Sequence, residues 1–220
     1  MKVCAGRATA VASTCPGWRQ LDNSPQLLSI FSGPAGLYET RVSTEGQETL
    51  YSIWVYLGPA CSGGSCPGWF QIDMTGTEPG WIAVGYYSAY ELEPNDDVRQ
   101  FTGQLCGSNG CPGWLEVGSN PYTQTLTAAN SLFQTQQTYS TNTVWQYNGT
   151  PCGGTGCNGW VELDSNPAIY TIVAGGSTVY EQHFDGSVCQ STGQPCGFEG
   201  GCPGWTQLDQ NPQIKFIVPN

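Results

Sequence analysis

Eleven cysteines and eight tryptophans set most of what this 220-residue chain could do chemically. Ten of the cysteines form five local pairs: Cys4/Cys15, Cys61/Cys66, Cys106/Cys111, Cys152/Cys157 and Cys196/Cys202. The middle three pairs enclose Ser-Gly-Gly-Ser, Gly-Ser-Asn-Gly and Gly-Gly-Thr-Gly, which bend easily enough to bring two sulfurs together. They read as short-loop disulfides made in an oxidising compartment. Two such pairs could instead offer four thiolates to zinc. Their regular recurrence sets them on separate units, however, and the chain has one histidine. No metal or cofactor is expected. Cys189 stands outside the pairs, as a small buried apolar residue or as one half of an intermolecular bridge.

The aromatic residues fall into two sets. Trp18, Trp69, Trp114, Trp160 and Trp205 follow the second cysteine of every pair and fit a packing role. Trp54 and Trp145 share a register in which other copies carry Arg99 and Cys189. That variation suits a partly degenerate binding site, where an indole face stacks on the C–H side of a sugar, and also suits outer-strand packing. Tyr38, Tyr90 and Tyr180 form a further series that could point toward a ligand or toward the core. Asp22, Asp73, Asp164 and Asp209 recur, and Asn120, Asn166 and Asn211 lie two residues after the aspartate position. Each could cap a turn or present a planar polar group to a sugar hydroxyl. The expected carbohydrate-binding residues are therefore Trp54, Trp145, Tyr38, Tyr90, Tyr180, Asp164, Asn166, Asp209 and Asn211. His183 reads as part of a turn rather than as a catalyst.

The elements that must position these residues follow from the spacing of Cys-Pro-Gly-Trp and its variant Cys-Asn-Gly-Trp. The motif begins at Cys15, Cys66, Cys111, Cys157 and Cys202, with intervals of 51, 45, 46 and 45 residues. A tandem period of about 45 residues is that of a four-stranded propeller blade. Within the fourth copy, Asn-Gly, Asn-Pro, Gly-Gly and Asp-Gly punctuate four runs of alternating apolar residues. The most apolar runs, at 28–31, 81–84, 125–128, 169–174 and 216–218, should be the inner strands, buried on both faces. The expectation is one all-β propeller over 1–220, with five units at about 1–60, 61–105, 106–151, 152–195 and 196–220. Its last, incomplete blade joins 214–218 to the N-terminal segment around 18–21. A four-bladed ring is the alternative.

With Trp-x-x-Leu-Asp-x-Asn-Pro, Ile-Val-Ala-Gly-Gly, Val-Tyr-x-x-His-x-Asp-Gly and Val-Trp-Gln-Tyr-x-Gly-x-Pro-Cys in view, the repeat resembles those of tectonin-like and tachylectin-2-like lectin propellers. The second copy departs most, with Asp73-Met74-Thr75-Gly76-Thr77-Glu78-Pro79 at the turn. The resemblance implies a multivalent lectin of fungal or bacterial type. It would have shallow pockets within or between blades and N-acetylated ligands such as GlcNAc or GalNAc, on glycoproteins or cell surfaces.

Composition narrows the remaining classes. A net charge of −11 with six Lys and Arg argues against nucleic acid. No segment is apolar enough to insert in a membrane as a helix. An acidic, amide-rich and aromatic surface suits uncharged ligands. The inner runs carry no acid that could form a glycosidase pair, and one histidine makes no credible triad, so an enzyme is not expected. The competing reading is a secreted protein-binding propeller, an effector or inhibitor, with Tyr86 and Tyr87 on its contact face. Residues 1–7 do not read as a signal peptide. The reading is nonetheless an extracellular protein, with a sequon at Asn148-Gly149-Thr150. A blade left a strand short would also favour self-association into a homo-oligomer.

Overall fold

The structure is a computed structural model that describes residues 19–154, 156–196, 203–211, 213 and 217. The described residues contain sixteen strands and no helix. They form four antiparallel sheets, each of four strands in sequence order. The first holds β1 (Leu27–Gly33), β2 (Gly36–Glu45), β3 (Glu48–Tyr56) and β4 (Trp69–Thr75). The second holds β5 (Trp81–Val84), β6 (Ala89–Leu92), β7 (Asp97–Phe101) and β8 (Trp114–Ser119). The third holds β9 (Thr123–Ala128), β10 (Leu132–Gln137), β11 (Asn142–Tyr147) and β12 (Trp160–Ser165). The fourth holds β13 (Ile169–Gly175), β14 (Thr178–His183), β15 (Ser187–Ser191) and β16 (Trp205–Gln210). The all-β expectation holds. The predicted shared blade at 214–218 and the Cys4/Cys15 pair lie outside the described residues.

The sheets are out of phase with the sequence repeat. Trp69, Trp114, Trp160 and Trp205 of the Cys-x-Gly-Trp motifs open the fourth strands of the four sheets, and the residues that follow each of the first three build the next sheet. Consecutive sheets are therefore covalently overlapped. They also stack face to face, because each apolar cluster draws on two of them. Tyr38, Ile53 and Ile72 of the first sheet meet Ile82, Val84 and Ala89 of the second. Val98 and Val117 meet Leu126 and Leu132, and Phe133 and Leu163 meet Ile172 and Val179. The strands expected to be innermost, β1, β5, β9 and β13, touch from sheet to sheet, and the second strands β6 and β10 reach the next sheet's inner strand as well. Their hairpin turns are linked by Ala35 N–H to Gly85 O, Tyr86 N–H to Ala129 O and Asn130 N–H to Gly176 O, at 2.9, 2.6 and 3.0 Å. β1 departs from the expected two-sided burial. It begins the described stack, and its Leu28 and Ile30 are 45% and 59% exposed.

One irregularity recurs in all four sheets and governs how they join. Third and fourth strands slip register at the same point: Val144 opposes Asp164, but Trp145 opposes Glu162, so Leu163 has no partner. Ile72, Val117 and Leu208 occupy the same bulged position. A bulge withdraws a carbonyl from the ladder, and the next sheet's tryptophan takes it. Trp114 Nε1 donates to Ile72 O, Trp160 Nε1 to Val117 O and Trp205 Nε1 to Leu163 O, at 2.9, 2.7 and 2.9 Å. Trp69 Nε1 donates to Leu21 O at 2.7 Å. Beside each, the first cysteine of the short loop donates its backbone N–H to the preceding strand: Cys61 to Gln20 O, Cys106 to Gln71 O, Cys152 to Glu116 O and Cys196 to Glu162 O. The motif glycine is required by close approach. A Cβ on Gly68, Gly113, Gly159 or Gly204 would run into the carbonyl oxygen of Pro59, Gln104, Thr150 or Gln194.

Replacing Trp114 by Phe keeps a large ring against Phe101 but deletes the donor to Ile72 O. An unsatisfied buried carbonyl costs about 1–3 kcal/mol. Trp114→Phe should therefore lower the unfolding free energy by that amount, seen as a lower denaturant midpoint at an unchanged m-value, whereas an unshifted midpoint would remove the joint's energetic role.

Candidate functional site

The same four positions line each gap between consecutive sheets and, ahead of the first sheet, the gap beside residues 20–22. The first follows the bulge on the preceding outer strand: Asp22, Asp73, Gly118 or Asp164. The second is the buried residue after the second-strand aromatic: Glu39, Glu91, Gln134 or Glu181. The third lies two residues further on: Arg41, Glu93, Gln136 or His183. The fourth is the third-strand residue directly opposite the second: Trp54, Arg99, Trp145 or Cys189. The bulge sits beside this fourth position in every sheet and re-aims it.

Three gaps contain two facing acids. At the first, Arg41 binds Asp22 at 3.1 Å and also Glu39, with its guanidinium 4.2 Å over the Trp54 ring. Between the first and second sheets, Arg99 binds Asp73 at 2.9 Å and Glu91 at 3.1 Å, and reaches Glu93 as well. Burial raises the Glu39 carboxyl above its usual range despite Arg41. Burial and the Asp73 charge push Glu91 up to about 8, against the pull of Arg99. In the last gap Glu181 faces Asp164, and burial with that neighbouring charge pushes it up to about 9. These two gaps with arginines are filled by their own side chains.

The gap between the second and third sheets differs at both acid positions. Gly118 replaces the aspartate and Gln134 the glutamate, and no cation is present among its described residues. A cavity of about 730 Å³ opens here, within the ~300–1,000 Å³ span of small-molecule sites. Its floor carries the amides of Gln134, Gln136 and Asn120, and its walls are the indoles of Trp145 and Trp160. Trp145 is oriented by its Nε1 donating to Thr143 Oγ1 at 2.8 Å. Asn120 Nδ2 donates to Gln136 Oε1 at 3.0 Å, which leaves the Gln136 NH₂ group as a donor. The lip is the disulfide loop Cys152–Cys157, closed by Gly153 and Gly156 exchanging backbone hydrogen bonds. The Cys61–Cys66 and Cys106–Cys111 bonds staple the equivalent loops. Cys196 is disulfide-bonded too, and its expected partner Cys202 lies outside the described residues.

The residues expected from the sequence are dispersed. Trp145 lines the cavity, while Trp54 lies beneath Arg41. Tyr38 and Tyr90 are core residues, 3% and 7% exposed, whose rings no sugar can reach. Tyr180 is half-buried on β14 opposite Gln190. Asp164 faces Glu181. Asn166 and Asn211 accept the backbone N–H two residues on, from Ala168 and Gln213, as turn caps. Asp209, exposed on β16, accepts from Gln210 N–H. Glu116, Gln134, Gln136 and Asn158, which also border the cavity, were not singled out from sequence. The available signal was the residue after each second-strand aromatic, which reads Glu, Glu, Gln, Glu along the chain. No protein-family model matches the chain, and comparison with curated proteins returns no match.

The buried acids tie stability to pH. Folded Glu91 keeps its proton to about pH 8, whereas an unperturbed glutamate releases it near 4.5. Across that window the folded state binds a proton that the unfolded state does not. This stabilisation is complete below the unfolded value and is lost as pH rises through the folded one. Denaturant midpoints of the native chain should fall between about pH 5 and 8. Glu91→Gln, which keeps Arg99 facing Asp73 and Glu93, should make that fall shallower; an unaltered slope would refute the assignment.

Proposed function

We propose that the chain is a non-enzymatic carbohydrate-binding protein, and that the gap walled by Trp145 and Trp160 is its principal sugar site. The observation that carries this reading is the paired change to Gly118 and Gln134. It exchanges a charged, arginine-filled gap for an open cavity with amide groups below, an indole face at the side and the Glu116 carboxylate on its border. Planar amides match vicinal hydroxyls, and an aromatic face matches the apolar side of a pyranose. Uncharged sugars of the N-acetylhexosamine type, as the sequence resemblance implies, are the preferred class. The proposed setting is extracellular, which the disulfide loops favour. Because the gaps differ in chemistry, valence is lower than the number of repeats.

The same reading includes a five-unit ring. Residues 20–21 receive Cys61 N–H and the Trp69 indole as an outer strand would. Leu208, the next bulged residue in the series, is 53% exposed on β16. Both features favour a fifth unit between the chain ends. A protein-binding role has one observation in its favour: Tyr86 and Tyr87, 57% and 77% exposed, form an edge-to-face pair at the β5–β6 turn.

A glycan array with free GlcNAc and GalNAc as competitors tests the sugar reading. Trp145→Ala should weaken the selected glycan about tenfold or more, the loss expected for about 1.4 kcal/mol of stacking. Gly118→Asp introduces the side chain found in the neighbouring gaps and should abolish binding; since its Cβ would sit 3.1 Å from Trp160 Nε1 and 3.2 Å from Val98 Cβ, the thermal midpoint is measured alongside to show that the variant is folded. Binding indifferent to both substitutions and to free sugar would transfer the function to the exposed tyrosine face.

A further inference from the structure

The gap between the third and fourth sheets has the acid pair, Asp164 and Glu181, but lacks the arginine that balances it elsewhere. Arg41 supplies the cation at the first gap from the second strand. Arg99 supplies it at the next from the third strand. Here those same two positions hold His183 and Cys189, and no lysine or arginine enters among the described residues. The replacements are metal-ligand types. From this juxtaposition we propose that Glu181, His183 and Cys189 bind a divalent, borderline-soft metal ion such as Zn²⁺, which takes the place of the missing guanidinium.

The geometry is already close to a ligand set. One donor atom from each of the three residues lies within 4.8 Å of the other two. Register places Cys189 directly opposite Glu181 across the β14–β15 pair, and His183 follows two residues later on the same face of β14. His183 Nε2 lies 2.8 Å from Glu181 Oε1. Its other nitrogen, Nδ1, is 3.0 Å from Ser187 Oγ, which donates to Asp185 Oδ1 at 2.7 Å. Since Ser187 spends its proton on Asp185, it accepts from His183 Nδ1–H, which holds Nε2 facing Glu181 Oε1. A histidine anchored through its remote nitrogen by a hydroxyl and a carboxylate has the outer-shell arrangement of a metal ligand. Glu181 Oε2, on a side chain 2% exposed, has no N–H or O–H donor.

The donor set of one nitrogen, one thiolate and one carboxylate suits Zn²⁺ or Co²⁺ in a four-coordinate site, with Asp164 or water completing it. It also gives a purpose to the single cysteine that forms no disulfide among the described residues. Ligation through the thiolate displaces the thiol proton, with no change in oxidation state.

The test uses the whole folded chain, treated with chelator and then titrated with ZnCl₂ or CoCl₂ alone. One equivalent of Zn²⁺ should bind, raise the thermal midpoint, and protect Cys189 from iodoacetamide. Co²⁺ should produce a thiolate-to-metal charge-transfer band. Cys189→Ser should remove that band, and His183→Gln should weaken Zn²⁺ at least tenfold. Absence of the Co²⁺ band and of alkylation protection in the native chain would overturn the proposal without relying on any variant folding. Zn²⁺ binding that survives both substitutions unchanged would overturn it equally.

Discussion

A carbonyl released by a β-bulge and captured by an indole N–H one sheet away holds this architecture together. Sheets of four short strands have weakly defined relative positions, since apolar clusters alone tolerate sliding. The bulge at Ile72, Val117 or Leu163 gives each sheet a directional acceptor, and the tryptophan gives the next a directional donor. The joint is part-buried, so either group left without its partner costs free energy. The cysteine N–H beside it adds a second point of attachment. Two contacts fix an angle where one would allow a hinge.

That joint explains why the motif repeats while its neighbourhood drifts. Among the described residues, cysteine, glycine and tryptophan serve the connection alike at Trp69, Trp114, Trp160 and Trp205. The four gap positions do not take part in it, so they can change chemistry without disturbing assembly. In sequence they run from arginine and paired acids, through amides and glycine, to histidine and cysteine. One scaffold position thus carries Trp54, Arg99, Trp145 and Cys189 in turn.

Much of the fold was legible because its signals are local. Period-two alternation marked the strands, turn dipeptides marked their ends, and the motif spacing gave the unit. Packing was the better reading for the repeated tryptophans, although none of the sequence features revealed that Trp160 also walls a cavity. The candidate site was less legible, for a physical reason. Gln134 and Gly118 come from different repeats and matter only because the bulge and the joint bring β8 against β10. Tyr38 and Tyr90 repeat as a ligand series would, yet alternation sends them to the core, and the next residue faces the gap. Repetition identifies positions that matter; it does not say which side of a pleat they occupy.

The three disulfides with both cysteines described, Cys61–Cys66, Cys106–Cys111 and Cys152–Cys157, each join cysteines five residues apart. Closing so small a ring restrains the unfolded chain by only about 2 kcal/mol on the chain-entropy view. What it fixes is the shape of a miniature hairpin, and the Cys152 N–H bond to Glu116 O carries that hairpin across the gap to form the cavity's lip. Mild reduction would then act on the mouth of the cavity ahead of its scaffold. The stack would stand, held by indole and carbonyl, while the rim lost its set. Thiol status in the surrounding medium becomes a control on preorganisation, separate from whether the protein is folded.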